Sequence, residues 1–347
     1  MGKLIAQNVG EVKLSAAILD YDAEHAESFL APEKLSTARG EAVVESSPVG
    51  VVFGVQPWNF HYYQVARFAA PNLMAGNTVL LKHASNVPQC ALAFERLLRE
   101  AGAPEGAFAN LFISKDQVSK VIDDPRVSGV ALTGSEGASA VVAARAGKNL
   151  KKSTLELGGS DALIVLEDAD LDKAVKQAVA GRMGNAGQAC TASKRIIVVE
   201  AMADRFLERF QAALQASQPG DPMAPQTTLA PLSSKGALKT LVAQVDEAVA
   251  HGPSWAARRR VARPAASCNR TSWPMCARTT PCTTKSSSAR SRCSSGCPDK
   301  AAAIALANDS PFGLGGSVFT QDIERQTGGA PDRHRHGVHQ FRRRVDA

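Results

Sequence analysis

Two hydrophobic periods alternate along most of the chain. VGVVFGV at 49–55 is a continuous apolar run of strand length, and helical spacing follows over 62–75. TVLLK at 78–82 predicts a strand and 87–102 an amphipathic helix. FANLFI at 108–113 predicts a strand, with a helix at about 115–123. SGVALTG at 128–134 predicts a strand that opens into a helix over 136–147. The short apolar runs STLEL (153–157) and ALIVL (162–166) come next. A helix over 170–183, the strand RIIVVE (195–200) and a helix over 202–216 complete the regular part. Strands alternating with helices predict an α/β fold with a largely parallel sheet. Such sheets bind ligands at the carboxyl ends of their strands. Residues 1–40 read as a helix plus a connector.

The pattern stops at 251–298, a stretch rich in Arg, Ser, Thr, Pro and Cys. It returns over 299–320, where DKAAAIALAND reads as a helix and GSVFT as a strand. It fails again from about 326.

Composition sharpens this division. The chain has 347 residues, enough for two domains, and a formal net charge of +7. Residues 251–298 hold eight arginines, one lysine and no acid, and 326–347 hold five arginines against two aspartates. The remainder is mildly acidic, as in an ordinary cytoplasmic enzyme. Five of the seven cysteines (Cys268, Cys276, Cys282, Cys293, Cys297) lie in the basic window. The window has no C-x-x-C and no set of aromatic residues for stacking on bases, so neither a metal site nor a nucleic-acid partner is expected. No apolar run reaches eighteen residues and no signal peptide opens the chain, so no membrane span is expected and a cytoplasmic location is.

Four positions carry candidate chemistry. Cys190, in NAGQACTASK, sits in a loop of small and polar residues before a strand. It is either a buried structural thiol or an accessible nucleophile. Glu156, in LELGG, ends an apolar strand beside two glycines. It is either a cap or ion-pair partner, or a partly desolvated general base. Asn59, in PWNF, is a turn residue or an amide donor to an oxyanion. The TGS of 133–135 is an ordinary strand-to-helix turn or a cradle for phosphate.

Together these features resemble the NAD(P)-dependent aldehyde dehydrogenase superfamily. PWNF (57–60), LLK (80–82), AGAPEGAFA (101–109), LTGS (132–135), LELGG (155–159) and GQAC (187–190) stand in that family's order and spacing. The resemblance spans about residues 10–250 and 299–325. It implies an aldehyde-dehydrogenase-like α/β fold: a Rossmann-type cofactor domain over 1–157 and an α/β catalytic domain over 158–325, both incomplete. A disrupted segment at 252–298 and a scrambled tail at 326–347 interrupt that plan.

The resemblance also implies roles. Cys190 is the nucleophile, Asn59 and the Cys190 N–H hold the oxyanion, and Glu156 activates the hydrolytic water. Trp58, Lys82, Ser85, Gly134, Ser135, Leu157 and Gly158 line the cofactor, with Gly159 beside them. Many NAD-preferring members carry a glutamate where this chain has Ser85. A neutral side chain removes repulsion from a 2′-phosphate, so the cofactor is NAD or NADP with NADP tolerated. Arg67 stands where succinate-semialdehyde dehydrogenases carry an arginine, and a guanidinium there would pair with a distal substrate carboxylate. The partners implied are a small-molecule aldehyde and, as in the family, further copies of the chain. His61 replaces the usual proline after PWNF, and Ser139 replaces a glycine in the helix after TGS.

The family's E-x-F-G-P motif is expected near residue 286 and is absent. Thr283–Ser291 can be coded so that starting one base earlier reads YHEEFFGPV, and the tail near Gly329 yields a similar recovery. The expectation is therefore a frame-disrupted, shortened copy with poor solubility, impaired oligomerisation and little turnover. Its alternative form is a catalytically dead remnant.

Overall fold

The computed structural model describes residues 1–250 and 292–322. The disrupted segment up to residue 291, the expected motif position near 286 and the tail from 323 lie outside the described residues. The chain divides into two compact units, one of Ala6–Leu157 with Met1, the other of Gly158–Ala347 with Gly2–Ile5.

The first unit begins with α1 (Ile5–Leu30) and an antiparallel hairpin of β1 (Glu33–Thr37) and β2 (Gly40–Val44). Then come β3 (Val51–Gln56), α2 (Tyr63–Met74), β4 (Thr78–His83), α3 (Pro88–Glu100), β5 (Phe108–Asn110), α4 (Lys115–Asp123), β6 (Val127–Thr133), α5 (Glu136–Lys148) and β7 (Lys152–Glu156). The last five strands form one sheet in the order β5-β4-β3-β6-β7, every pair parallel.

Strand alternation explains how that sheet is covered. In β3, Val52 packs with Val65, Ala66 and Ala69 of α2 and Phe94 of α3. Its neighbour Phe53 turns to the opposite face, with Val118 and Ile122 of α4 and Val142 of α5. Gly54 lets α2 lie close, because a Cβ there would stand 2.2 Å from Phe68 Cε1. The start of α2 is capped from outside: Glu11 Oε1 accepts the Tyr62 and Tyr63 N–H groups at 2.8 and 3.2 Å.

The second unit holds β8 (Asp161–Val165), α6 (Leu171–Met183), β9 (Ser193–Val199), α7 (Glu200–Gln215), α8 (Lys235–Ala250), β10 (Arg292–Cys297), α9 (Lys300–Asn308) and β11 (Gly316–Phe319). Its sheet runs β10-β9-β8-β11, again all parallel. The core is Leu163, Val165, Ile196 and Val198 of the strands against Phe206 and Phe210 of α7 and Ala303 of α9.

Three findings differ from the sequence reading. The connector after α1 is a hairpin, whose strands lack a buried face and so lack a clear period-two signal. Residues 292–297, inside the window read as patternless, form β10: the parallel ladder from β9 supplies what local propensity does not. Gly2–Ile5 join the second unit, since the Ile5 N–H donates to Pro222 O at 3.0 Å and Leu4 packs with Ala186 and Ala230. Among the described residues, no helix is long and apolar enough to cross a membrane.

Candidate active site

In the first unit, strand order creates the site. The sheet reverses direction of growth at β3, with β4 to one side and β6 to the other, and this switch point opens a crevice at the carboxyl ends. Trp58 and Asn59 follow β3 directly. Gly134 and Ser135 follow β6. Lys82 is the penultimate residue of β4, with Ser85 exposed just beyond the strand. Glu156 ends β7, with Leu157 next. The fold therefore brings these sequence-predicted residues to one edge of one sheet.

Local bonds orient them. Asn59 Oδ1 accepts the Phe60 N–H at 3.1 Å, so Nδ2 is the donor end of that amide. The Gly134 N–H donates to Glu156 O at 2.9 Å and ties the end of β6 to that of β7. Ser135 is the N-cap of α5, its hydroxyl accepting the Ala138 N–H at 3.4 Å. Burial, then repulsion from Lys115, holds the Lys82 ammonium below the usual lysine range, and its Nζ donates to His83 O at 3.1 Å.

His83 is a site residue the sequence reading missed. It is buried, its Nε2 lies 2.8 Å from His61 O, and its Nδ1 accepts the Ala84 N–H at 2.9 Å. The contact with His61 O calls for a proton on Nε2, while Nδ1 also lies 3.3 Å from Gln56 O. Burial pushes its pKa below the ordinary histidine value, more strongly than the carbonyl partners raise it. His83 thereby fastens the loop that carries Trp58 and Asn59 to β4. No periodicity or motif announces this role; a histidine closing an apolar strand is the only trace.

Arg67 and Glu156 share a cavity of about 450 Å³ that also takes in Gln56, Gln64, Phe68 and Thr133. Arg67 Nη1 is 3.5 Å from Glu156 Oε2, and the two side chains are 35% and 41% exposed. The guanidinium also donates through Nη2 to Gln64 Oε1 at 2.8 Å and lies 5.5 Å from the Tyr63 ring centre. Gln64 is itself buried, so it fixes Arg67 in place. Arg67 is thus a half-buried cavity residue.

The departures noted in the sequence have visible effects. His61 is buried with Nδ1 3.4 Å from Trp58 O. Ser139 is buried in α5 with a hydroxyl that has no hydrogen-bond partner among the described residues.

In the second unit the chemistry gathers at the amino ends of the strands. Gly158 and Gly159 precede β8, and Cys190 sits half-buried in a turn before β9. A short 3-10 turn at Gly184–Gly187 leads into it, with three successive left-handed residues: Asn185 (φ 51), Ala186 (φ 55) and Gly187 (φ 77). Two of these are not glycine, so the turn is strained and held by its surroundings. Asn185 Nδ2 donates to Gln188 O at 3.4 Å and Gln188 Nε2 returns a bond to Asn185 O at 3.0 Å. A Cβ on Gly159 would stand 2.8 Å from Cys190 O, so only glycine allows that approach.

Buried charges surround this turn. Lys194 Nζ donates to Gly159 O and lies 3.5 Å from Cys190 O. Burial, then repulsion from Arg182, pulls its pKa down to about 8. Arg182 is buried, and that burial lowers its pKa to about 10. Asp161 is pushed up to about 6 by burial, although the Gly315 N–H donates to its Oδ1 at 3.1 Å. Arg195 donates to Ser160 O at 3.0 Å and to Leu306 O and Ala307 O at 2.9 and 2.7 Å, capping the last turn of α9.

A doubly wound parallel sheet with polar residues at its switch point, followed in one chain by a second parallel sheet and a constrained cysteine turn, defines a two-unit α/β class. Comparison with known proteins makes this particular. The sequence profile of the aldehyde dehydrogenase family matches residues 1–274. The succinate-semialdehyde dehydrogenase [NADP(+)] of Deinococcus radiodurans is 46% identical over 335 residues, covering 94% of this chain and 68% of that protein. A probable succinate-semialdehyde dehydrogenase [NADP(+)] of Synechocystis is 44% identical, covering 94% and 72%. The crystal structure of succinic semialdehyde dehydrogenase from Streptococcus pyogenes with NADP+ superposes with a TM-score of 0.87 at 44% identity, covering 94% of this chain and 72% of that one. The chain belongs to the aldehyde dehydrogenase family.

Proposed function

We propose that this protein oxidises a short aldehyde bearing a distal carboxylate, succinate semialdehyde first among them, to the carboxylic acid with NADP. The observation that carries the reading is the pairing of Arg67 with Glu156 in one cavity that runs along β3, β6 and β7 of the five-stranded sheet and reaches Glu156 at the end of β7. Relatives named for succinate semialdehyde and NADP+ support it.

The residues present fit the cofactor. Lys82 offers a partly desolvated ammonium, Ser85 an exposed neutral hydroxyl that does not repel a 2′-phosphate, and α5 its first N–H groups beside Gly134 and Ser135. Trp58, Leu157 and Gly158 complete the set assigned to it. When bound, the nicotinamide supplies the hydride acceptor.

Each remaining step belongs to side chains of this chain. The Cys190 thiolate adds to the aldehyde carbon: a C–S bond forms and the carbonyl π pair moves to oxygen. Asn59 Nδ2 and the Cys190 N–H donate to that oxyanion. Loss of hydride from the same carbon leaves a thioester on Cys190. Glu156 takes a proton from water as the water oxygen attacks the thioester carbon, and the intermediate collapses with departure of the Cys190 thiolate. The Arg67 guanidinium receives the distal carboxylate and sets the aldehyde's orientation.

The test is production of reduced cofactor from succinate semialdehyde by the full chain. Cys190→Ala abolishes it, and Arg67→Met lowers kcat/KM for succinate semialdehyde by about a hundredfold while changing that for butanal only a few-fold. Equal losses on both aldehydes overturn the assignment of Arg67. Cofactor binding without any turnover by the unaltered chain would favour the catalytically dead alternative.

A further inference from the structure

The mechanism above uses Cys190 but leaves the buried cations behind it without a task. Lys194 is only 4% exposed, and its ammonium bonds to Gly159 O while standing 3.5 Å from Cys190 O. Gly159 and Cys190 lie 31 positions apart, and Gly159 has no room for a side chain against the Cys190 carbonyl. One side chain therefore ties the turn before β8 to the turn that carries the thiol. We propose that Lys194 is the positioning residue of the nucleophile turn: it clamps the Gly159 and Cys190 carbonyls together and keeps a positive charge behind the Cys190 thiolate. This rests on the reading of Cys190 as nucleophile.

The charged and titratable groups around it agree with that task. Arg182 reaches it from α6, Asp161 from β8 and Cys190 from its own turn. Burial and the Arg182 charge both work against the Lys194 ammonium, whereas Asp161 and Cys190 favour it. A lysine placed only for structure would gain more from an apolar replacement than from a charge held at this cost. A cation beside a thiol favours the thiolate, the form that attacks a carbonyl. Lysine at this point also leaves the neighbouring Arg195 to its separate bonds with Ser160, Leu306 and Ala307.

The experiment is the pH dependence of iodoacetamide alkylation at Cys190 in the full chain, read by mass spectrometry of the peptide that contains it. Thermal unfolding and circular dichroism are recorded alongside. Lys194→Met is expected to move the alkylation midpoint up by about one pH unit, so that alkylation at neutral pH slows about tenfold. Lys194→Arg, which keeps the charge, is expected to restore most of the rate. Lys194→Gln keeps a donor without the charge, serves as the second variant should Lys194→Met not fold, and is expected to show the same upward shift. An unshifted midpoint in folded Lys194→Met or Lys194→Gln overturns the inference. A Cys190 that alkylates in the unaltered protein no faster than an unperturbed thiol overturns the reading of the nucleophile itself, a separate failure.

Discussion

The two turns that carry the proposed base and nucleophile are built in opposite ways. Glu156 ends a strand, is 41% exposed, and answers a half-buried arginine across 3.5 Å. Cys190 follows three left-handed residues and lies among Arg182, Lys194 and Asp161, all buried. A carboxylate that must accept a water molecule benefits from access and freedom to move. A thiol that must be a thiolate benefits from fixed charge, and fixed buried charge opposes folding. Stability is therefore spent at the nucleophile turn and largely left intact at the base.

Substitutions can break that contrast, beginning with the largest effect. Gly187→Ala forces a side chain onto a residue at φ 77 and toward Arg182 Nη1, which stands 2.2 Å from the Cβ position. It should destabilise by about 3 kcal/mol. Gly134→Ala, with only Leu132 Cδ2 at 3.1 Å and no left-handed φ, should cost under about 1 kcal/mol. Denaturant unfolding read by hydrogen exchange in β9 and in β3 compares them, and equal losses would remove the contrast.

The pH dependence of stability comes next. The folded-state pKa of Lys194, about 8, lies below its ordinary 10.5, so the unfolded chain binds more protons between those values and stability rises as pH climbs from 8 to 10.5. For Asp161 it is about 6 against 3.8, so the folded chain binds more protons in that range and stability falls as pH rises from 3.8 to 6. Each change is on the order of 3 kcal/mol. Between pH 6 and 8 both groups are charged, so their combined contribution to stability is at its least favourable. Lys194→Met should flatten the alkaline limb and Asp161→Asn the acid limb in unfolding curves taken across that range. Limbs that persist in these variants would assign the dependence to other groups.

Smaller effects sharpen the same picture. Ser139→Ala removes a buried hydroxyl that has no partner among the described residues and should stabilise the first unit by about 1 kcal/mol, seen as a higher Tm. Arg67→Met should alter stability by less than about 1 kcal/mol, since its ion pair is partly solvated, even where it changes substrate choice strongly. A large loss of Tm would make Arg67 a structural residue.

What could be read from the sequence follows the same line. The parallel strands β3, β4, β6, β8 and β9 were legible because each carries a run of apolar residues that is largely buried. The carboxyl-edge residues were legible because PWNF follows β3, TGS spans the end of β6 and LELGG the end of β7. The hairpin of β1 and β2 was not, since neither of its faces is buried. Lys194 and His83 were not legible as site residues, because their roles depend on carbonyl groups 35 and 22 positions away, and a carbonyl leaves no mark in a sequence. The left-handed turn at 185–187 was equally hidden, as Ala186 gives no hint of a positive φ.

The bonds from Arg195 to the end of α9 span 111 and 112 residues. During synthesis the five-stranded sheet can close once β7 has left the ribosome, for all its ladders lie within residues 51–156. The four-stranded sheet must wait: β8 and β9 emerge early, but their outer partners β11 and β10 come more than ninety residues after β9. Through that interval β8 and β9 are a two-stranded ribbon with both edges open to any passing strand. The guanidinium that later seals α9 is meanwhile without its last two carbonyls, so the longer wait falls on the half of the molecule that carries the thiol.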